Sequence, residues 1–227
     1  MNPSPKTFLI AYVCSLIMSL LIIIPISVNM EHFKGNCLLY AKGNLSTPTS
    51  SSEHGVFMLH SWGNSSNCNY ILYMGVTTLV ASAVLIWQSC VLVYKEHDRA
   101  PFGSFIMFLL NAVVFIAMLI ASLISSVGYD EWCETITENK YRCSLADLSD
   151  LEKVYGINSD GFYTQMSALQ VGCWSSLCVW LISSVLAFLK VHYYHKNDDL
   201  LNSLAYEKRT LLSNRFKYSR ADGGQVL

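Results

Sequence analysis

Eight cysteines are the residues of this chain best placed to do covalent chemistry, and their positions narrow what that chemistry is. Cys37, Cys68, Cys133 and Cys143 stand in polar stretches, whereas Cys14, Cys90, Cys173 and Cys178 stand within or at the ends of long apolar runs. Structural zinc asks for short Cys-x-x-Cys spacing, which the first four lack. Disulfide bonding is the remaining chemistry, and four cysteines allow three pairings. We favour Cys37–Cys68 and Cys133–Cys143, because each pair shares a loop whose ends neighbouring apolar runs already hold. Closing a loop of about 30 residues stabilises by roughly 3–4 kcal/mol on the chain-entropy model.

Other reactive constellations are missing. No nucleophile elbow, zinc-protease helix or phosphate loop occurs. His32, His54 and His60 read as loop residues rather than ligands. The expectation is a protein that is not an enzyme and uses no cofactor or metal. The net charge of −1 argues against nucleic acid as a partner, which requires a basic face. Within the apolar runs the polar candidates are Gln88, Asn111, Gln165 and Gln170, with Asn111 the most interior. A carboxamide at that depth should bond to another helix, a contribution of about 1 kcal/mol. A transporter would instead use Asn111 at a substrate site, but such sites normally hold ionisable residues, and these runs contain none.

The elements that position these residues are four runs free of Asp, Glu, Lys and Arg, at 7–30, 69–94, 102–129 and 161–189. Each is long enough to cross a hydrocarbon core of ~30 Å, which takes about 20 helical residues. Backbone groups cannot go unpaired in lipid, so each run should be a helix. Hydrophobic residues make up 52% of the chain and charged ones 14%, too few polar residues to cover four such helices in water. The first run follows Lys6, yet it outlasts the ~7–15 apolar residues of a signal peptide, so a retained anchor is expected. The fold class expected is therefore all-α: a four-helix transmembrane bundle with two disulfide-stabilised loops, at 31–68 and 130–160, on the luminal or extracellular side. The N-terminus (1–6), the short connection 95–101 and the tail 190–227 would be cytoplasmic.

Three signals agree on that orientation. Ten of the fifteen Lys and Arg lie in the terminal segments and the short connection, against five in the long loops. Both glycosylation sequons, at Asn44 and Asn64, fall in loop one. The four loop cysteines belong in an oxidising compartment. Loop one also has two apolar pieces, Cys37-Leu38-Leu39-Tyr40 and Val56-Phe57-Met58-Leu59, suited to pair as short strands. In loop two, Leu145, Leu148, Leu151 and Val154 recur at helical spacing, predicting a short amphipathic helix among acids that lack calcium-loop spacing. Small residues at Ala117, Ala121 and Ser125, and at Gly172 and Ser176, mark close helix contacts.

Beyond Leu189, Lys190 to Lys196 forms a basic and aromatic belt suited to lipid headgroups. The tail then places Leu200, Leu201, Leu204, Leu211 and Leu212 on one side of a predicted helix lying on the membrane. Glu207, Leu211 and Leu212 complete a Glu-x-x-x-Leu-Leu pattern, the acidic dileucine signal that clathrin adaptors read. Cys90, near the end of the second run, is a palmitoylation candidate.

Several strings resemble the transmembrane protein 179 family: Phe33-Lys34-Gly35-Asn36-Cys37-Leu38-Leu39-Tyr40 opening loop one, and Ser126-Val127-Gly128-Tyr129-Asp130-Glu131-Trp132-Cys133 leaving the third run. The tail strings Ala187-Phe188-Leu189-Lys190-Val191 and Asp198-Asp199-Leu200-Leu201-Asn202-Ser203-Leu204 do so too. The resemblance implies a four-pass membrane protein and brings no catalytic or transport residues. Tetraspanins are less similar, since Glu134 follows Cys133 where they have Cys-Cys-Gly. Claudins set Trp-Gly-Leu-Trp ahead of two loop-one cysteines, whereas Trp62-Gly63 lies between Cys37 and Cys68. The expected function is that of an organiser, adhesion component or accessory subunit acting through membrane-protein partners and lipids, in the plasma membrane or the endosomal and secretory pathway. The alternative is a transporter or channel built on uncharged polar residues.

Overall fold

The computed structural model describes residues 5–45, 57–95, 101–137, 143, 155–159 and 161–222. Four long helices carry the architecture: α1 (Pro5–His32), α2 (Ser65–Lys95), α3 (Pro101–Thr137) and α4 (Phe162–Asp222). Each contains a span apolar and long enough to cross a membrane: Lys6–His32, Ser65–Tyr94, Phe102–Ile136 and Phe162–Asn197. The share of each apolar window buried within the protein is only 33, 22, 28 and 39% in that order. Helices so apolar and so little covered need lipid around them, which makes this an integral membrane protein.

Helix ends follow local chemistry. The termination of α1 is a left-handed pair, Lys34 (φ +54°) and Gly35 (φ +82°), with the Gly35 amide donating to the Met30 carbonyl at 2.7 Å. Asn64 caps α2, its Oδ1 accepting the Ser66 amide at 3.0 Å. Gly161, at φ +72°, turns the chain into α4, where the Phe162 amide reaches the Ser159 carbonyl.

Around the bundle the helices neighbour one another in the order α2–α1–α4–α3. Gly172 of α4 approaches α1 so closely that a Cβ there would lie 3.1 Å from the carbonyl carbon of Leu21 and from Ile22 Cγ1. Leu21 is also the residue whose carbonyl loses its helical partner, because Pro25, four residues on, has no amide hydrogen. The tightest α1–α4 contact thus falls where α1 is locally weakened. Polar side chains stitch the remaining pairs: Ser82 donates to Ser15 (2.8 Å), Tyr70 to the Ala117 carbonyl (3.1 Å), and Trp174 to Ser126 (3.0 Å).

Two strands, β1 (Cys37–Leu45) and β2 (Phe57–Gly63), form an antiparallel hairpin in loop one. Its register pairs Cys37 with Gly63 and Leu45 with Phe57. The two apolar pieces singled out in the sequence therefore lie at opposite ends of the hairpin and do not face each other. Leu38 and Leu39 of the first piece are buried against the membrane bundle instead. The predicted helix over 144–155 lies outside the described residues apart from Tyr155.

The tail is helical, as its leucine pattern predicts, but it continues the fourth span instead of starting a new helix: α4 runs unbroken from Phe162 to Asp222. No Gly or Pro occurs between Lys190 and Asp222, so nothing in the chain provides a stop. At 1.5 Å per residue, the helix reaches about 37 Å past Asn197.

Candidate functional site

The loop-one hairpin is a structured surface outside the spans, and its attachment begins with a disulfide. Cys37, opening β1, is joined to Cys68 in the first turn of α2, with Cα atoms 5.9 Å apart. Cys133, near the end of α3, is joined to Cys143, with Cα atoms 5.2 Å apart. Both favoured pairings are thus present. Each cross-link removes freedom from the unfolded chain more than it adds contact to the folded one.

Beneath the hairpin lies an aromatic cluster drawn from three helix ends. Phe33 meets Phe162 edge-on at 5.5 Å between ring centroids, and Trp132 meets Phe162 at 6.4 Å, also edge-on. All three are buried, as are Leu38, Leu39 and Ala41 of β1. Edge-to-face pairs of this kind add about 0.5–1.5 kcal/mol each beyond the area they bury.

The strand β1 passes over the far end of α3 at Gly128. A Cβ on Gly128 would fall 2.7 Å from Tyr40 Cε2 and 2.9 Å from Leu39 Cβ, so only glycine leaves room. Tyr40 itself has φ +63°, a left-handed conformation that an aromatic residue rarely adopts. It sits among register irregularities between Cys37 and Lys42, where the extra strand residues re-aim the side chain. Burial, and secondly the negative charge of Glu131, push the Tyr40 hydroxyl above its ordinary pKa. Gly63 is equally constrained, since a Cβ there would overlap the Leu39 carbonyl oxygen.

From the other side, the segment leading into α4 clamps the hairpin. Tyr155 donates from its hydroxyl to the Leu59 carbonyl (3.2 Å) and stacks edge-on against Trp62 at 5.6 Å. Its own carbonyl accepts from Lys34 Nζ at 3.2 Å. The Asn158 amide bonds the His32 carbonyl at 3.3 Å. Lys42 and Glu131 approach at 4.0 Å, an exposed pair contributing little. Tyr155 and Lys34 were not singled out by the sequence, because nothing in a loop lysine or tyrosine signals a partner more than a hundred residues away.

Asn64 is exposed at the α2 cap, whereas the Asn44 backbone lies in β1 opposite Met58. The Asn64 cap uses its oxygen, which leaves the amide nitrogen, the atom a glycan would join, outside that bond. Asn111 is fully buried. Its Nδ2 donates to the Met107 carbonyl at 2.7 Å and to Tyr12 Oη at 3.3 Å, and Tyr12 is likewise fully buried. The carboxamide therefore joins α3 to α1 across the bundle. At the opposite end from the hairpin, Cys90 is exposed on α2. Glu207 and Leu211 are exposed one turn apart on the α4 extension, with Leu212 following in the same helix.

The hairpin is thus braced over a bundle in which Asn111–Tyr12 and Ser82–Ser15 bonds join one helix to another. No solved structure matches the chain. A family model described as the transmembrane protein 179/179B claudin domain matches residues 7–212. The match runs from the start of the first span to Leu212 in the α4 extension, and it holds despite the missing Trp-Gly-Leu-Trp string. On that coverage, with four membrane-crossing helices and two loop disulfides, the chain belongs to the transmembrane protein 179/179B claudin-domain family.

Proposed function

We propose that this protein works through membrane-protein partners, as an organiser, adhesion component or accessory subunit, with the loop-one hairpin as its recognition surface. The observation that carries this reading is the bracing of the hairpin on two sides, by Gly128 of α3 and by Tyr155, while Lys42, His60 and Ser61 stay exposed. A surface ordered before binding loses less entropy when it engages a partner. The hairpin faces the lumen or the extracellular space, both termini face the cytoplasm, and the exposed Glu207–Leu211 turn is available to clathrin adaptors. Catalysis has no place in this reading.

The transporter alternative loses ground because Asn111 is already engaged by Tyr12 and Met107. The test is proximity labelling in intact membranes, with the labelling enzyme inserted between the two strands of loop one. Enriched membrane proteins that disappear with His60→Glu and Ser61→Arg are the expected result. A label profile indistinguishable from that of an unrelated four-pass protein would refute it.

A further inference from the structure

The core positions of α4 advance in steps of three and four: Trp180, Ser183 and Ala187 are all buried, and Lys190 is the next member of the series. Lys190 is only 6% exposed. In the sequence it looks like a headgroup-belt residue free to reach water, yet the helix turns it inward where all four helices meet.

There, Phe8 of α1, Ser89 and Leu92 of α2, Ser104 and Met107 of α3, and Ala187 with Lys190 of α4 line a cavity. About 20 Å³ of it admits the centre of a water molecule, and the cavity is partly open to the outside. That space suits a single oxygen, and the opening leaves the rest of a larger group outside. Two features point to an anion. Lys190 Nζ, 5.9 Å from the Tyr194 ring centroid, brings a positive charge and only donors. Independently, Ser104 Oγ is buried with no hydrogen-bond partner among the described residues. A buried hydroxyl left unbonded costs about 1–3 kcal/mol, so a ligand acceptor here is favoured. Ser104 also lies in the first turn of α3, at the positive end of the helix dipole.

All the lining residues stand toward one end of the four membrane-crossing helices, the level at which lipid headgroups sit, which favours a bilayer lipid as the occupant. We propose that an anionic phospholipid seats a phosphate oxygen of its headgroup in this cavity, held by the Lys190 ammonium and the Ser104 hydroxyl. Phe8, Leu92 and Met107 offer the apolar wall that the adjoining glycerol and acyl carbons need. Basic pockets between helices near a membrane surface bind headgroups on the same logic. The site is independent of the partner reading above and of which way the protein faces.

Native mass spectrometry of the purified full-length chain in detergent tests it, with phosphatidylserine, phosphatidylcholine and inorganic phosphate as probes. Phosphatidylserine should bind about five-fold more tightly than phosphatidylcholine, the ratio that one lysine near a headgroup provides. Lys190→Gln should abolish that preference, Ser104→Val should weaken phosphatidylserine binding, and Lys196→Gln, an exposed lysine at the same end, should change neither. Equal binding of the two lipids, or a preference that survives Lys190→Gln, overturns the proposal. Inorganic phosphate binding as tightly as phosphatidylserine overturns the lipid source. If Lys190→Gln is not monodisperse, Ser104→Val alone decides, and unchanged phosphatidylserine binding by that variant counts against the site.

Discussion

The ring of Tyr40 lies against the backbone of Gly128, with room for nothing larger than a hydrogen atom between them. This contact joins the loop-one hairpin to the third membrane helix, and it explains why a glycine stands in the middle of an otherwise well-formed helix. Glycine in a helix interior costs about 1 kcal/mol relative to alanine, a loss that the close approach offsets.

Gly128→Ala should therefore destabilise the protein by about 1–3 kcal/mol, as overpacking does, although alanine is the better helix former. Thermal unfolding in detergent is the measurement. Adding Tyr40→Gly should recover part of the loss, because it removes the obstructing ring and relieves the left-handed backbone at that position. A double variant no more stable than the additive sum of the two single changes would show that the contact is not the cause.

Asn111 and Tyr12 should behave as a coupled pair. Asn111→Leu and Tyr12→Phe are each expected to lower stability, and the double-mutant cycle should return a coupling of about 0.6–1.7 kcal/mol. Zero coupling would mean that the bond between α1 and α3 contributes nothing. Flux abolished by Asn111→Leu, with surface expression intact, would favour transport over the partner reading.

The two sequons report orientation directly. In a glycosylating cell line, Asn44→Gln and Asn64→Gln should each remove one endoglycosidase-sensitive step in gel mobility, and the double variant should remove both. A chain that carries no glycan on either asparagine would withdraw this support for placing loop one on the luminal side.

On the α4 extension, Leu211→Ala combined with Leu212→Ala should raise the fraction of protein at the cell surface, measured by surface biotinylation. Glu207→Ala should act in the same direction and more weakly. Unchanged surface levels in both variants would assign these leucines to the apolar side of a helix and nothing more.

What the chain reveals without its fold is what depends on local composition. Four uncharged runs can only be membrane helices, since a backbone in lipid must bond to itself and too few polar residues exist to cover them in water. The cysteine pairs are legible for a related reason: each pair shares one loop, and the spans on either side bring the loop ends together. Tertiary structure decided the rest, because it depends on partners far away in sequence. The register that sets Cys37 opposite Gly63 arises from packing of β1 on α3, which no alternation in β1 encodes. Tyr155 reaches Leu59 across 96 residues, a contact that neither loop announces. Lys190 is the sharpest case. The run free of charged residues ends at the residue before it, while the three-and-four spacing of α4 carries it into the core, and only the approach of the other three helices makes that position buried.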